Sequence, residues 1–423
     1  MSFKLSTKSE YLFIIGFITI YISIFQGLGE TQPIILLTIG FLVIALKVKR
    51  LVFSEHKTLE KKLLYLSFIF FIYFSFLFLN VFLGYGDILS MLKYLVVTFI
   101  FFAVLSFNPL TEDNRKLYAI VFGLTALITV LYKYNFFYFS VFYDYFLSLF
   151  IPRALESNFI SNRGVTILAP EQSYMAMLVI SLYLVFETKF LHYKNGGVQY
   201  NLITMCLYVL LIMIGSLIGL LFILIHVAQL MLSRLNLRTN VLIIMILVVF
   251  LIYLSSSLGD TRFFQIFQLF FDFVKSFDSF LEILVIDPSA SVRLILGVSS
   301  IINGFENLIL MEPGYQKNNW YLAFDGALSQ IVTNNPVLSS QYYDRLSTEP
   351  QTLFYALWSD LGAVAFLFFV ILIWTIFPKK VKFNKNSIAL YFFLFVVVFY
   401  QGGLTAPYLA LLLMLWYRRS NVF

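Results

Sequence analysis

Residues 200–233 read YNLITMCLYVLLIMIGSLIGLLFILIHVAQLMLS, without a single Asp, Glu, Lys or Arg. How many helices this stretch makes decides the topology of everything after it. Hydrocarbon offers no partner for backbone N–H and C=O groups, so an apolar run of this kind is helical. One crossing needs about 20 residues, and the stretch is too long for one. Gly215-Ser216 lies at its middle, where two short helices, 200–215 and 217–233, are expected to meet. Were it one helix, every later segment would flip, and Arg234 and Arg238 would face outward. We read two helices.

The rest of the chain agrees in kind. Of 423 residues, 61% are apolar and 12% charged, and mean hydropathy is +0.89. A soluble chain of that length could not cover so much apolar surface. Apolar stretches of spanning length run at 11–28, 33–47, 63–84, 88–107, 117–138, 166–186, 200–215, 217–233, 239–257, 352–377, 388–402 and 404–417. They predict an all-α polytopic membrane protein of about twelve transmembrane helices. Lys4 and Lys8 ahead of the first stretch resemble a signal-peptide n-region. No small-residue cleavage site follows, so that helix is read as retained. Fifty Phe and 27 Tyr suit a bilayer protein, since aromatic rings anchor at the membrane interface. The alternation of an outer-membrane barrel is absent. Cys206 stands alone, so neither a disulfide framework nor a cysteine metal site is available.

Lys and Arg set the orientation, because cytoplasmic loops retain them. With both termini cytoplasmic, that side holds Lys4, Lys8, Lys47, Lys49, Arg50, Lys57, Lys61, Lys62, Arg115, Lys116, Lys189, Lys194, Arg234, Arg238, Lys379, Lys380, Lys382, Lys385, Arg418 and Arg419, 20 of the 29 basic residues. The net charge of +7 is then a topology signal, and no nucleic-acid partner is implied. The clusters read as stop-transfer anchors.

This divides the chain into helices one to five (1–138), a first long outward loop (139–165), helices six to nine (166–257), a large outward loop (258–350) and helices ten to twelve (351–423). Long loops are where function concentrates. Within the large loop, the apolar stretch 263–274 reads either as a helix lying along the outer leaflet or as a packing helix of the loop itself. There is no GxxxxGK phosphate loop, no HExxH and no Asp-x-Asp pair. His56, His192 and His226 all fall on or near the cytoplasmic side, which excludes an outward Ser-His-Asp or histidine-metal site. Arginine and carboxylate remain outside. Arginine is always charged and its planar fork binds phosphate through two hydrogen bonds, so a lipid-linked phosphate or pyrophosphate is the ligand these loops suggest.

Arg153 is followed by ten residues and then Gly164, and Arg293 by ten residues and then Gly304. Two Arg-x10-Gly stretches, one in each long loop, resemble the paired loop motifs of Wzy-type O-antigen polymerases. Arg163-Gly164, then Pro170-Glu171-Gln172-Ser173, resembles the wider ligase and polymerase superfamily's opening of the span after the first loop. Arg293-Leu294 leading to Glu312-Pro313-Gly314 is similar to its large-loop segment, and Gln351 through Leu357 to Asp360 and Gly362 to its entry into the next span. The resemblance covers roughly 150–380. Ligases of the superfamily usually carry a His where this chain has Gln351, a departure that favours a polymerase.

The resemblance implies a GT-C-like architecture with a large helical periplasmic loop. It implies a glycosyltransferase at the periplasmic face of the inner membrane, joining oligosaccharide repeat units carried on undecaprenyl pyrophosphate. The product would be O-antigen of lipopolysaccharide or a related surface polysaccharide. No cofactor or metal is expected, and a separate chain-length regulator is the implied partner. Arg153, Arg163, Arg293, Arg345 and Gln351 would engage pyrophosphate or glycan. Glu171 or Glu349, each beside a proline at a helix mouth, would be the general base. Glu171 also reads simply as a helix-start carboxylate favoured by the macrodipole. Tyr342, Tyr343 and Trp320 read equally as sugar-stacking rings or interface anchors. Two rival functions stay open: O-antigen ligase, and a lipid-linked oligosaccharide flippase, for which charges or broken helices at the midplane would be the sign.

Overall fold

The computed structural model describes residues 4–22, 33–38, 75, 77–107, 115–159, 164–193, 197–233, 288–306, 312–313, 315, 352–362, 364–366, 370, 387–402 and 406–422. Among the described residues every regular element is helical. In chain order these are α1 (Lys4–Ile18, continued by a 3-10 turn, Thr19–Tyr21), α2 (Ile88–Phe107), α3 (Arg115–Lys133), α4 (Phe139–Phe150), α5 (Pro152–Phe159) and α6 (Gln172–Tyr193). There follow α7 (Gly197–Ile214), α8 (Leu217–Ser233), α9 (Pro288–Glu306), α10 (Leu353–Leu361), α11 (Ile388–Phe399) and α12 (Tyr408–Val422).

The 200–233 run does divide in two. The Gly215 N–H closes α7 on the carbonyls of Leu211 and Ile212, at 3.2 and 3.1 Å. Its φ of +68° is open to glycine and strained for a side chain. The Leu220 N–H bonds the Ser216 carbonyl at 3.1 Å and α8 is under way. Gly164 lies against this break, where an added Cβ would collide with the Ile214 carbonyl. The Val165 N–H donates to the Met213 carbonyl at 3.1 Å, giving one of the carbonyls left over at the end of α7 a partner.

α6 sits at the centre, packed by α3, α7, α8 and α12. From Met175 to Phe186 its side chains are buried all round, the pattern of an interior helix. α3 is peripheral and exposes Ile120, Leu124 and Leu127, a stripe at i, i+4 and i+7. Among the described residues, Lys116–Lys133 and Gln172–Leu191 are long and apolar enough to cross a membrane, and Tyr200–Ile214 and Leu217–Met231 are shorter apolar helices. The regular elements among the described residues are thus all helical, and two of the helices could cross a membrane by length and composition. The twelve-span count reaches beyond these residues, and the expected span 239–257 lies outside the described ones.

Two of the expected boundaries that move bear on the first loop. The span 117–138 ends at Lys133, because Asn135, Phe137 and Tyr138 all have positive φ, at 48, 56 and 56°. Hydropathy runs straight through Phe136–Tyr138 and does not register this turn in the backbone. The loop at 139–165 then holds two helices, α4 and α5. The span 166–186 starts instead at Gln172, since the apolar residues ahead of Pro170 form an irregular segment. In the large loop, α9 packs on α10 through two glycines. A Cβ at Gly297 would lie 2.8 Å from the Tyr355 ring, and one at Gly304 would strike Trp358. The Trp358 indole N–H donates to the Ile301 carbonyl at 3.1 Å. Small residues let two helices approach closely.

Candidate functional site

The site grows from the start of α6. Pro170 precedes the helix, and the Met175 N–H bonds the Glu171 carbonyl at 3.0 Å, which makes Glu171 the residue that opens it. A carboxylate there lies in the favourable field of the helix N-terminus. Two arginines from outside the helix grip its side chain. Arg153 comes from α5, 18 residues before, and makes a short ion pair with one carboxylate oxygen. Arg293 comes from α9, 122 residues after, and bonds the other oxygen at 3.3 Å.

The two cations differ in setting. The Arg153 side chain is 47% exposed, the Glu171 side chain 19% and the Arg293 side chain 5%. Arg293 also donates to Ser173 Oγ at 3.5 Å and lies 5.7 Å from the centre of the Tyr400 ring, a cation–π distance. Ser173 Oγ accepts from Gln401 Nε2 at 2.8 Å. Gln401 is fully buried, and its Oε1 has no hydrogen-bond partner among the described residues. Gln172 reaches back from Nε2 to the Gly164 carbonyl at 2.8 Å. Two guanidiniums from segments far apart in the chain thus share one carboxylate.

Of the residues singled out from sequence, Arg153, Glu171 and Arg293 meet. Gly164 and Gly304 do not join them. Each instead closes a packing contact eleven residues beyond its arginine, Gly164 at the α7–α8 break and Gly304 at Trp358. Arg163, Arg345, Glu349, Gln351, Tyr342, Tyr343, Trp320 and the apolar stretch 263–274 lie outside the described residues. Tyr400 and Gln401 escaped the sequence reading. Their signal was a polar pair, with Gly402, between the apolar runs of the last two spans. Glu312 and Pro313 dock on the end of α10 and the start of α2: the Glu312 N–H bonds the Asp360 carbonyl at 2.9 Å and the Asp87 N–H the Pro313 carbonyl at 2.7 Å. The Asp360 side chain accepts from Tyr94 OH at 2.5 Å.

A second polar centre lies toward the other end of α6. Glu187 is buried and accepts from Arg419 Nη2 at 2.7 Å, from His226 Nε2 at 3.0 Å and from Gln229 Nε2 at 3.0 Å. With its Nε2 proton given to the carboxylate, His226 accepts at Nδ1 from Tyr208 OH, 2.7 Å away. Arg419 Nε donates to Thr188 Oγ1 at 2.8 Å. Beside them Lys189, also buried, sits 5.1 Å from the Tyr118 ring centre. Arg419 and Lys189 thus stand buried among the helices, a correction to their reading as stop-transfer anchors. The cluster bolts α6, α7, α8 and α12 together, with its carboxylate fully occupied.

Fold and site together define an all-helical protein, with helices able to cross a membrane, whose polar centre is a carboxylate held by two arginines from separate segments. Compared with known proteins, the chain matches no family model, no curated protein and no solved structure.

Proposed function

We propose that this chain is a multi-pass inner-membrane glycosyltransferase of about twelve spans, a polymerase that joins undecaprenyl-pyrophosphate-linked repeat units into O-antigen or a related surface polysaccharide at the periplasmic face. The observation that carries the reading is the convergence of Arg153 and Arg293 on Glu171. The two arginines come from the two loops that resemble the paired loops of Wzy-type polymerases. The alternating topology is supported by which helix ends touch. Tyr21 meets Tyr408 at 2.6 Å, Tyr94 meets Asp360, and Gly164 meets Gly215 on the side read as outward. Glu187 meets Arg419 and His226 on the side read as inward.

The reaction follows from the charges. At rest, Glu171 is the counter-ion of both arginines. A lipid diphosphate carries more charge and competes for the same two guanidinium forks. Once they turn to the diphosphate, they stabilise the charge that develops as the bond from the sugar C1 to the phosphate oxygen breaks. Glu171, released, takes the proton of the attacking sugar hydroxyl while its oxygen bonds C1. Undecaprenyl pyrophosphate leaves with the bonding electrons. A single displacement of this kind inverts the anomeric centre and needs neither ATP nor a metal ion. Glu349 is the alternative base, and Arg163, Arg345 and Gln351 complete the glycan contacts. A separate chain-length regulator would act beside the chain.

The test is deletion in the native host, with surface glycolipid resolved on a gel. The expected outcome is a ladder collapsed to core plus one repeat unit, restored by wild type and not by Arg153→Ala or Arg293→Ala present in the membrane at equal level. Loss of every repeat, the single unit included, would point to a ligase or a flippase and overturn the reading.

A further inference from the structure

α4 wears its apolar side outward. Tyr138, Val141, Phe142, Tyr145 and Leu149 are all exposed, Phe142 at 74%. Their spacing of i, i+3, i+4, i+7 and i+11 puts them on one face. Phe137, just ahead of the helix, is 96% exposed. The opposite face is packed, with Leu147 buried against Tyr132, Tyr143 and Phe146. Asp144, the one Asp, Glu, Lys or Arg on α4, accepts from Tyr132 OH at 2.6 Å, so the outward face carries no charge at neutral pH. Scattered surface leucines are ordinary, but a contiguous aromatic face of this size marks an interaction surface.

What covers it follows from its neighbours. The exposed stripe of α3, Ile120, Leu124 and Leu127, runs up to Lys133 on a helix able to cross a membrane. The chain then turns through the positive-φ residues Asn135, Phe137 and Tyr138 and sets α4 beside the end of α3. The apolar surface continues across that turn. Hydrogen bonds hold the arrangement: Tyr143 OH to the Ile167 carbonyl at 3.0 Å, and Asn158 to the Thr166 backbone in both directions at 2.8 Å. Arg153 follows within three residues of the end of α4.

We infer that α4 is an interfacial helix whose aromatic face is embedded in the outer leaflet, the lipid surface being its partner. Such helices sink about 5–10 Å into the boundary between headgroups and acyl chains. Arg153 then sits at the depth of lipid phosphates, where the pyrophosphate of a membrane-borne donor would lie. The inference rests on the membrane reading above and goes beyond it in assigning this face a lipid role.

The test is spin-label accessibility in the whole protein. In a Cys206→Ser background, single cysteines replace Val141, Phe142, Tyr145 and Leu149 on α4, and Leu124 and Leu127 on α3. All six are surface positions, so folding is not at stake. Each labelled protein goes into phosphatidylethanolamine–phosphatidylglycerol vesicles, where collisions with oxygen report lipid and collisions with a nickel chelate report water. The expected result is high oxygen and low nickel access at the four α4 positions, at a shallower depth than Leu124. Nickel access on α4 would mean a wet face, and low access to both reagents a face covered by the 258–350 segment. Either overturns the inference while Leu124 and Leu127 still report lipid. Nickel access at those two as well would sink the membrane reading itself.

Discussion

Arg153 and Arg293 hold the same carboxylate, yet burial separates what each contributes. Exposed ion pairs contribute about 0.2–1 kcal/mol, so Arg153→Ala, at a half-exposed position, should leave thermal stability nearly unchanged. Its effect should fall on activity, a loss of about 100-fold or more if it stabilises charge in the transition state. Arg293 is nearly buried, so the carboxylate it shares matters more to it than to Arg153. Glu171→Ala should therefore lower stability more than Arg153→Ala does, and Arg293→Lys, which loses the planar fork, should not restore activity. Thermal melts in detergent, set beside polymer ladders, separate the two arginines. A large stability loss in Arg153→Ala would contradict the argument. Tyr143 offers a milder case. Burial pushes its phenol up to about 12 from an ordinary 10.0. This group's contribution is thus fully present below pH 10 and falls as the pH climbs from 10 toward 12. Tyr143→Phe, which loses the bond to Ile167, should cost about 1 kcal/mol and flatten that alkaline decline.

At the scale of elements, the spacing Arg-x10-Gly was readable as a motif, but what its glycines do was not. Spacing carries no information about which backbone lies across from a residue. Gly164 and Gly304 turn out to be points of close approach, where a methyl group would meet a carbonyl or an indole. Overpacking of this kind costs about 1–3 kcal/mol. Gly164→Ala and Gly304→Ala should each lower the melting temperature and impair activity while leaving every charge of the site in place. Full stability in either variant would show that the glycine matters for another reason. The helix bounds show where sequence sufficed. The expected 88–107 and 217–233 coincide with α2 and α8, because both runs end where apolar residues end. The end of α3 and the start of α6 were missed because apolar side chains continue past a backbone that has already turned. α4 was missed for the same reason, its aromatic residues reading as the tail of a span and the start of a loop.

For the whole molecule, composition was enough to read a helical chain, two of whose helices are long and apolar enough to cross a membrane, and charge placement enough to propose which ends share a side. The buried cluster of Glu187, His226 and Arg419 was not legible, since its members lie up to 232 residues apart and each alone resembled a loop or anchor residue. It should dominate stability. Arg419→Ala leaves Glu187 buried without its cation and should cost about 3–5 kcal/mol. Replacing both Glu187 and Arg419 with leucine should recover much of that loss, because a buried pair adds little over well-packed apolar side chains. Chemical unfolding of the single and double variants in detergent decides it. A double variant weaker than either single one would show that the pair contributes more than this.

The centre around Glu171 is also spread along the order of synthesis. Arg153 and Glu171 leave the ribosome early, but Val165 waits for the Met213 carbonyl before its loop can seat. Arg293 arrives with α9, and Tyr400 and Gln401 only after α11. A nascent chain therefore holds a glutamate clamped from one side only, and the centre is whole once the last two helices are made. On the function proposed above, copies stalled or truncated before that point would have little means of sequestering a scarce carrier lipid.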